Sequence, residues 1–317
     1  MDLIYTNAEG IDQGVLKNFK LDEAYGSDEN SLEITLYEDI LELGCLIYAY
    51  GEEVGGIIDS KSYNTAEEKY VYSGRTWTGI LNSKVVEPPA NEDYYVINNQ
   101  YMRDFIPSFL EKIALKNFFR IVVTSTKRVN YTFDRYTLAY DGLSKLLKGM
   151  GYKLKIIWQN KKPSIYVEDV IRYENDSIME ASFMEMDLDI VKNTVNHLVC
   201  LGKGELKARQ VLHLYVGEDG SISKTQYYTG SDEYTAVYDY SAVESMAELE
   251  KGGIERLKEL SVRGTASGTL TNSDIAYDVG DIVTASDEKT GTIITSEIKK
   301  KIITMTASSL MIEYSIK

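Results

Sequence analysis

Residues 44–60, GCLIYAYGEEVGGIIDS, are written a second time at residues 280–296, GDIVTASDEKTGTIITS. Laid over one another without a gap, the stretches share Gly44/Gly280, Ala49/Ala285, Glu52/Glu288, Gly55/Gly291, Ile57/Ile293, Ile58/Ile294 and Ser60/Ser296. Leu43/Val279 and Ile47/Val283 agree in character. Internal repetition on this scale decides the architecture before any single motif does. Each copy reads as a β-hairpin. A glycine opens it, a strand follows with Leu46 and Tyr48 on one face and Ile47 and Ala49 on the other, and a second glycine after a polar loop starts the return strand. Gly44, Gly55, Gly280 and Gly291 are the structural positions singled out, because hairpin turns need φ > 0, which glycine adopts freely. Two unrelated hairpins sharing turn residues is the plainer alternative. The coincidence of loop length, glycines and strands favours one small β-barrel present twice.

A chain of 317 residues exceeds one ordinary core, so several domains are expected. Hydrophobic content of 44% and charged content of 26% describe a globular chain. The net charge of -15 argues against a basic face for nucleic acid or anionic lipid, both of which require Lys and Arg. Cys45 and Cys200, the two cysteines, each lie in an apolar strand-like run and read as buried free thiols. The opening MDLIYTNAEG lacks the basic and apolar regions of a signal peptide, and no apolar run approaches ~20 residues. Synthesis and folding in a reducing bacterial cytoplasm, with no membrane span, are the expectation.

Residues 1–88 read as β, with Leu32, Ile34 and Leu36 alternating in SLEITLY and Pro88-Pro89 ending the unit. Residues 89–180 change period. Met102, Phe105, Ile106, Phe109, Leu110 and Ile113 fall at helical spacing, with Pro107 predicting a kink or a late start. RIVVT (120–124) predicts a strand, and Phe133 to Met150 a second amphipathic helix closed by Gly151. Strands at 153–158 and 164–170 then complete a small inserted α/β domain. TVNHLVCL (194–201) returns to β character, placing residues 181–205 and 261–317 in the second barrel. Residues 206–260 form an excursion: a hairpin around 217–220, then a helix over 241–260 with Ser241 and Glu244 spaced as a capping box and Gly252-Gly253 weakening or splitting it. The predicted fold is thus α+β and multi-domain: two tube-like β-barrels related by duplication, an inserted α/β domain and a hairpin-plus-helix excursion.

No catalytic constellation emerges. His197 and His213 sit in apolar strands and read as structural residues. Neither belongs to a zinc-hydrolase pattern, and no nucleophile elbow, P-loop or dinucleotide fingerprint is present. Glu185 with Asp187, or Glu218 with Asp219, would suit a glycosidase only at a defined carboxylate separation, and solvated carboxylates are the simpler reading. Tyr227, Tyr228, Tyr234, Tyr238 and Tyr240 suit sugar stacking or, preferably, protein contacts. No catalytic residue, metal ligand or cofactor site is assigned.

The cues LELGCLIYAY with GGIIDS, YSGRTWTGIL, NHLVCLGKGE, SAVESMAELEKGGIERLKEL and YDVGDIVTASDEKTGTIITSEI, in this order and spacing, resemble the hub proteins of phage tail baseplates. The similarity extends to contractile-tail prophage hubs and siphophage tail-associated proteins. It implies a homotrimer whose two barrels per chain present six quasi-equivalent units to a six-fold tail tube. It further implies a distal tail or tube-initiator protein on one face, a spike or tail-tip protein on the other, a virion-tail location, and DNA sliding through without specific binding. The chain ends at Lys317 without a hydrolase extension, which favours a separate spike. A glycan- or peptidoglycan-cleaving tail enzyme and a carbohydrate-binding adhesin are the alternatives.

Overall fold

The computed structural model describes residues 1–173, 179–180, 184–190, 194–243, 245–261, 264–271, 276–287 and 292–316. The chain divides into two compact units, residues 1–186 with 267–317, and residues 187–266.

The first unit begins with seven strands: β1 (Leu3–Thr6), β2 (Asp12–Val15), β3 (Phe19–Gly26), β4 (Asn30–Leu36), β5 (Leu46–Ala49), β6 (Gly55–Asn64) and β7 (Lys69–Thr76). Their neighbour order is β3-β4-β7-β6-β5-β1-β2. Alternation fixes the inward face: Leu21, Ile34, Ile47, Ile58 and Tyr72 are fully buried in one core with Ile303 and Met305. Residues 77–82, expected to continue the β unit, instead form helix α1 (Trp77–Asn82). Thr76 caps it, its Oγ1 accepting the Gly79 N–H at 3.1 Å. Six residues are too few to display a helical period, which is why the sequence reads otherwise.

The inserted segment carries β8 (Val85–Val86), β9 (Val96–Tyr101), α2 (Met102–Lys112), β10 (Arg120–Ile121), β11 (Arg128–Thr132), β12 (Thr137–Leu138), α3 (Ala139–Gly149), β13 (Tyr152–Gln159) and β14 (Lys162–Asp169). Helix α2 starts at Met102 and runs through Pro107, burying Phe105, Ile106, Phe109 and Leu110. β13 and β14 meet at Gln159↔Lys162, leaving Asn160 (φ 54°) and Lys161 (φ 64°) as a two-residue turn with both φ positive. A second core joins the helices to that hairpin, centred on Trp77, Phe105, Phe109, Phe133 and Trp158. Short strands β15 (Arg172–Tyr173), β16 (Met179–Glu180) and β17 (Met184–Ile190) follow.

The second unit is a four-stranded sheet under one helix. β18 (His197–Leu201), β19 (Val211–Val216), β20 (Ile222–Ser223) and β21 (Thr235–Asp239) run in the order β20-β19-β18-β21, with β21 parallel to β18. β18, expected in the second barrel, is thus interior to this sheet. Helix α4 (Met246–Leu260) starts later than 241. Ser245 and Glu248 supply the cap, the serine side chain accepting the Glu248 N–H at 3.2 Å; Glu244 lies outside the described residues. The helix is unbroken at Gly252-Gly253. A Cβ on Gly253 would lie 2.6 Å from Cys200 Sγ and 2.8 Å from Leu214 Cδ1, so its bareness lets helix and sheet pack closely.

The chain then enters β22 (Gly264–Thr271), β23 (Ile282–Asp287), β24 (Thr292–Thr306) and β25 (Leu310–Ile316). Gly44 and Gly280 open their hairpins identically. Gly44 (φ 87°) donates to Ile58 O at 2.8 Å and Ile58 N–H returns to Cys45 O at 3.0 Å; Gly280 (φ 96°) donates to Ile298 O at 2.8 Å and Ile298 N–H returns to Asp281 O at 2.8 Å. Just beyond, both return strands carry a bulge, between Ile58 and Ser60 against β7 and between Ile298 and Lys300 against β25. The spatial counterpart of Ile58 is therefore Ile298, not the Ile294 of the ungapped alignment, because the second ladder is longer, six pairs from Ile282 to Asp287 against three from Leu46 to Tyr48. Gly55 has φ 138°; Gly291 lies outside the described residues.

Two closed barrels were expected. Among the described residues the sheet stays open, because β3 is paired on its second edge by β24 (Tyr25↔Lys301, Glu23↔Ile303) and has no edge left to meet β2. The two halves share one continuous sheet in the first unit. That ladder, not barrel closure, unites them.

Candidate functional site

Strand β13 is gripped at both ends by the two hairpins. At its C-terminal end, Gly51 N–H donates to Trp158 O at 2.8 Å and Trp158 N–H to Glu52 O at 2.9 Å, while Tyr48 stacks on the Trp158 ring at 3.9 Å between centroids. At its N-terminal end, Lys153 Nζ donates to Asp281 Oδ1 and Oδ2 at 2.7 and 2.8 Å and to Asp278 Oδ2 at 2.7 Å. Lys155 Nζ reaches both Asp278 oxygens at 3.0 Å. The Lys153 and Asp281 side chains are 2% and 0% exposed. Asp281 also accepts Ile171 N–H (2.9 Å) and Asp278 N–H (3.0 Å), so both of its oxygens are satisfied.

The residue after each opening glycine differentiates the hairpins. Cys45 is buried and apolar, its thiol pushed up to about 11 by desolvation. Asp281 is instead buried and ionically tied to the insert. Burial pushes the Asp278 carboxyl upward, but hydrogen bonding and attraction from Lys153 and Lys155 outweigh it and hold the group below its ordinary value.

A second ionic contact joins the hairpins directly, Lys301 Nζ to Glu53 Oε2 at 2.8 Å. Burial lowers the Lys301 ammonium, and the neighbouring Glu53 carboxylate more than restores it, leaving a net rise. Beside them Glu23 is buried and accepts the Gly55 N–H at 3.0 Å. Desolvation raises its carboxyl well above the ordinary range despite that bond. The native state therefore holds the Glu23 proton more tightly than the unfolded chain does. Its contribution to stability is present below the unfolded pKa and lost as pH rises through the folded one. Glu23→Gln keeps an oxygen for Gly55 and cannot ionise. It is expected to match the parent at acidic pH and to become progressively more stable than it from pH 5 to pH 8; denaturant titrations across that range measure the difference.

A cavity of ≈ 350 Å³ lies alongside, lined by Tyr140, Ser144, Lys148, Tyr152, Lys153 and Glu297 among others. Lys148 and Lys299 both pair with Glu297. Among the described residues, no group of three His, Cys, Asp or Glu side chains is placed to hold a metal. The arrangement works mechanically: buried ion pairs and stacked rings hold hairpins and insert in fixed geometry.

The other residues singled out from sequence lie elsewhere. In the second unit His197 and His213 come together, Nε2 to Nδ1 at 2.8 Å, with His197 Nδ1 2.7 Å from Glu233 Oε1. A carboxylate can only accept, so in the neutral pair His197 carries its proton on Nδ1 and His213 donates from its own Nδ1. The antiparallel register Val199↔His213 brings the two rings side by side, a pairing no single strand reveals. Glu218 accepts the Tyr227 hydroxyl at 2.6 Å, and Asp219 accepts Ser221 N–H and Oγ in the turn, bonds that hold its carboxyl below the ordinary value. The side chains of Glu185 and Asp187 lie outside the described residues. Tyr227 and Tyr228 meet edge to face, and Tyr238 and Tyr240 at 5.7 Å.

No family model matches the sequence, and no curated protein matches it. Solved structures do. The 43 kDa tail protein of prophage MuSo2 from Shewanella oneidensis is similar at TM-score 0.60 and 12% identity, over 100% of this chain and 98% of that one. Prophage tail protein gp18 from Listeria monocytogenes is similar at TM-score 0.56 and 13% identity, over 99% and 94%. A tail protein from Neisseria meningitidis is similar at TM-score 0.56 and 12% identity, over 100% and 96%.

Proposed function

We propose that this chain, which has the fold of phage tail proteins, is a structural hub of a phage or phage-like tail. In this reading it acts without catalysis or cofactor, as a homotrimeric ring in the virion tail. The ring adapts the six-fold tube to a three-fold tip. One face meets the distal tail or tube-initiator protein, and the other meets the spike or tail-tip protein. The observation that carries the reading is the matched pair of glycine–isoleucine brackets and bulges at Gly44–Ile58 and Gly280–Ile298, each followed by the same kind of return strand. Duplication of one tube-like unit within a chain lets three copies offer six equivalent surfaces. The rigid tie between hairpins and insert suits a load-bearing ring. The charge of -15 suits a channel wall along which DNA slides instead of binding through released counterions.

The mass of the purified full chain in solution tests this. Three chains per particle, forming a ring by negative-stain microscopy, is the expected result. A single chain at every concentration up to the millimolar range overturns the hub. So does cell-wall hydrolysis abolished by exchanging one carboxylate.

A further inference from the structure

The loop joining β18 to β19, GKGELKARQ at 202–210, holds an apolar side chain out in water. Leu206 is 93% exposed, and its φ of 51° is a left-handed conformation that disfavours a branched side chain. The loop is firmly built. Gly202 N–H donates to Gln210 O and Gln210 N–H to Lys203 O, both at 2.9 Å, and Ala208 N–H closes on Glu205 O at 2.9 Å. Arg209 ties the base to Gly202 O and to Asp239. Leu206 is therefore presented by a preorganised knob, the condition under which an anchor binds at least entropic cost. Lys203 and Lys207 flank it, and neither has a carboxylate partner among the described residues.

The first unit offers the complementary chemistry. In the turn YEDILEL at 37–43, Tyr37, Ile40 and Leu43 are 68%, 37% and 56% exposed, interleaved with the exposed carboxylates of Glu38 and Glu42. Exposed apolar side chains alternating with acids along one turn supply the chemistry that a leucine between two lysines would fit. In a chain of net charge -15, copies repel one another unless such a local basic element meets an acidic one.

We propose that the knob at Leu206 docks on a second copy of this chain. Leu206 packs among Tyr37, Ile40 and Leu43 of that copy, and Lys203 and Lys207 face its Glu38 and Glu42. Two different surfaces meet, so the contact is head-to-tail, the kind from which a cyclic ring is built. It rests on the oligomeric reading above and names the contact within it.

Sedimentation velocity and thermal melting of the full chain test the contact. Glycine adopts φ 51° without strain, so Leu206→Gly is expected to leave the melting temperature unchanged or higher while weakening self-association about tenfold or more. Lys207→Glu is expected to weaken association comparably, and combining it with Glu38→Lys to restore it. Parent-like association in both Leu206→Gly and Lys207→Glu overturns this docking and leaves the trimer standing. A parent chain that never associates overturns both.

Discussion

Lys153→Met is expected to lower the stability of the first unit by about 3 kcal/mol, within the range for breaking a buried ion pair by removing one partner. The size follows from what remains. Asp281 is 0% exposed and would keep only two backbone N–H donors for its charge, while Asp278 would keep Lys155. Methionine fills the volume of the aliphatic stem, so the loss reports the stranded charge and not a cavity. Adding Asp281→Asn removes that charge and is expected to recover part of the loss. Denaturant midpoints of parent, single and double variants measure the coupling; a cost below ~1 kcal/mol for the single variant would mean that the lysine does not hold hairpin to insert.

That lysine also shows where the sequence stops being legible. Lys153 and Asp281 stand 128 positions apart, and in a chain with 49 acidic residues no spacing rule marks which carboxylate meets which ammonium. The opening of each hairpin was readable because glycine at φ near 90° leaves a letter that few other residues can replace. The return strands misled. TIITSEI offers isoleucine at 293, 294 and 298, so extra residues in the paired strands slid the true partner past two identical letters without lowering the match. The open sheet was hidden for another reason. The β3–β24 ladder joins residues about 280 positions apart, and alternation within a strand says which face is inward but not which neighbour lies alongside. Helix α4 is legible from its period, but it starts at Met246 and not at 241, because two serine–glutamate spacings compete in the sequence and the one at Ser245 closes on the helix backbone. At Leu206 the letters give no warning at all: a leucine between two lysines reads as an ordinary amphipathic position, and only φ and exposure set it apart.

Gly55→Ala is expected to be the most damaging of the single-methyl changes at Gly44, Gly55 and Gly280. A Cβ there would lie 2.4 Å from Ile47 O, 2.7 Å from Trp77 Cζ2 and 2.9 Å from Tyr48 Cα, at a φ of 138° that belongs to glycine alone. Two of those three obstacles are backbone atoms of the paired strand, so relief requires β5 and β6 to separate. Parting them would disturb the Gly55 N–H bond to Glu23 and push the Trp77 ring against Trp158, 5.5 Å away. Backbone strain and overpacking together make a loss of about 3 kcal/mol or more reasonable. Gly44→Ala supplies the control. Its φ of 87° is also unfavourable, but the nearest atom to the added methyl is Ala8 Cβ at 4.0 Å, so only the strain of about 1–2 kcal/mol applies. Thermal melts of the two variants side by side separate conformation from crowding. Equal losses would show that the close approach of the Gly55 backbone to β5 and Trp77 does not set the geometry of the hairpin, and that positive φ alone accounts for both glycines.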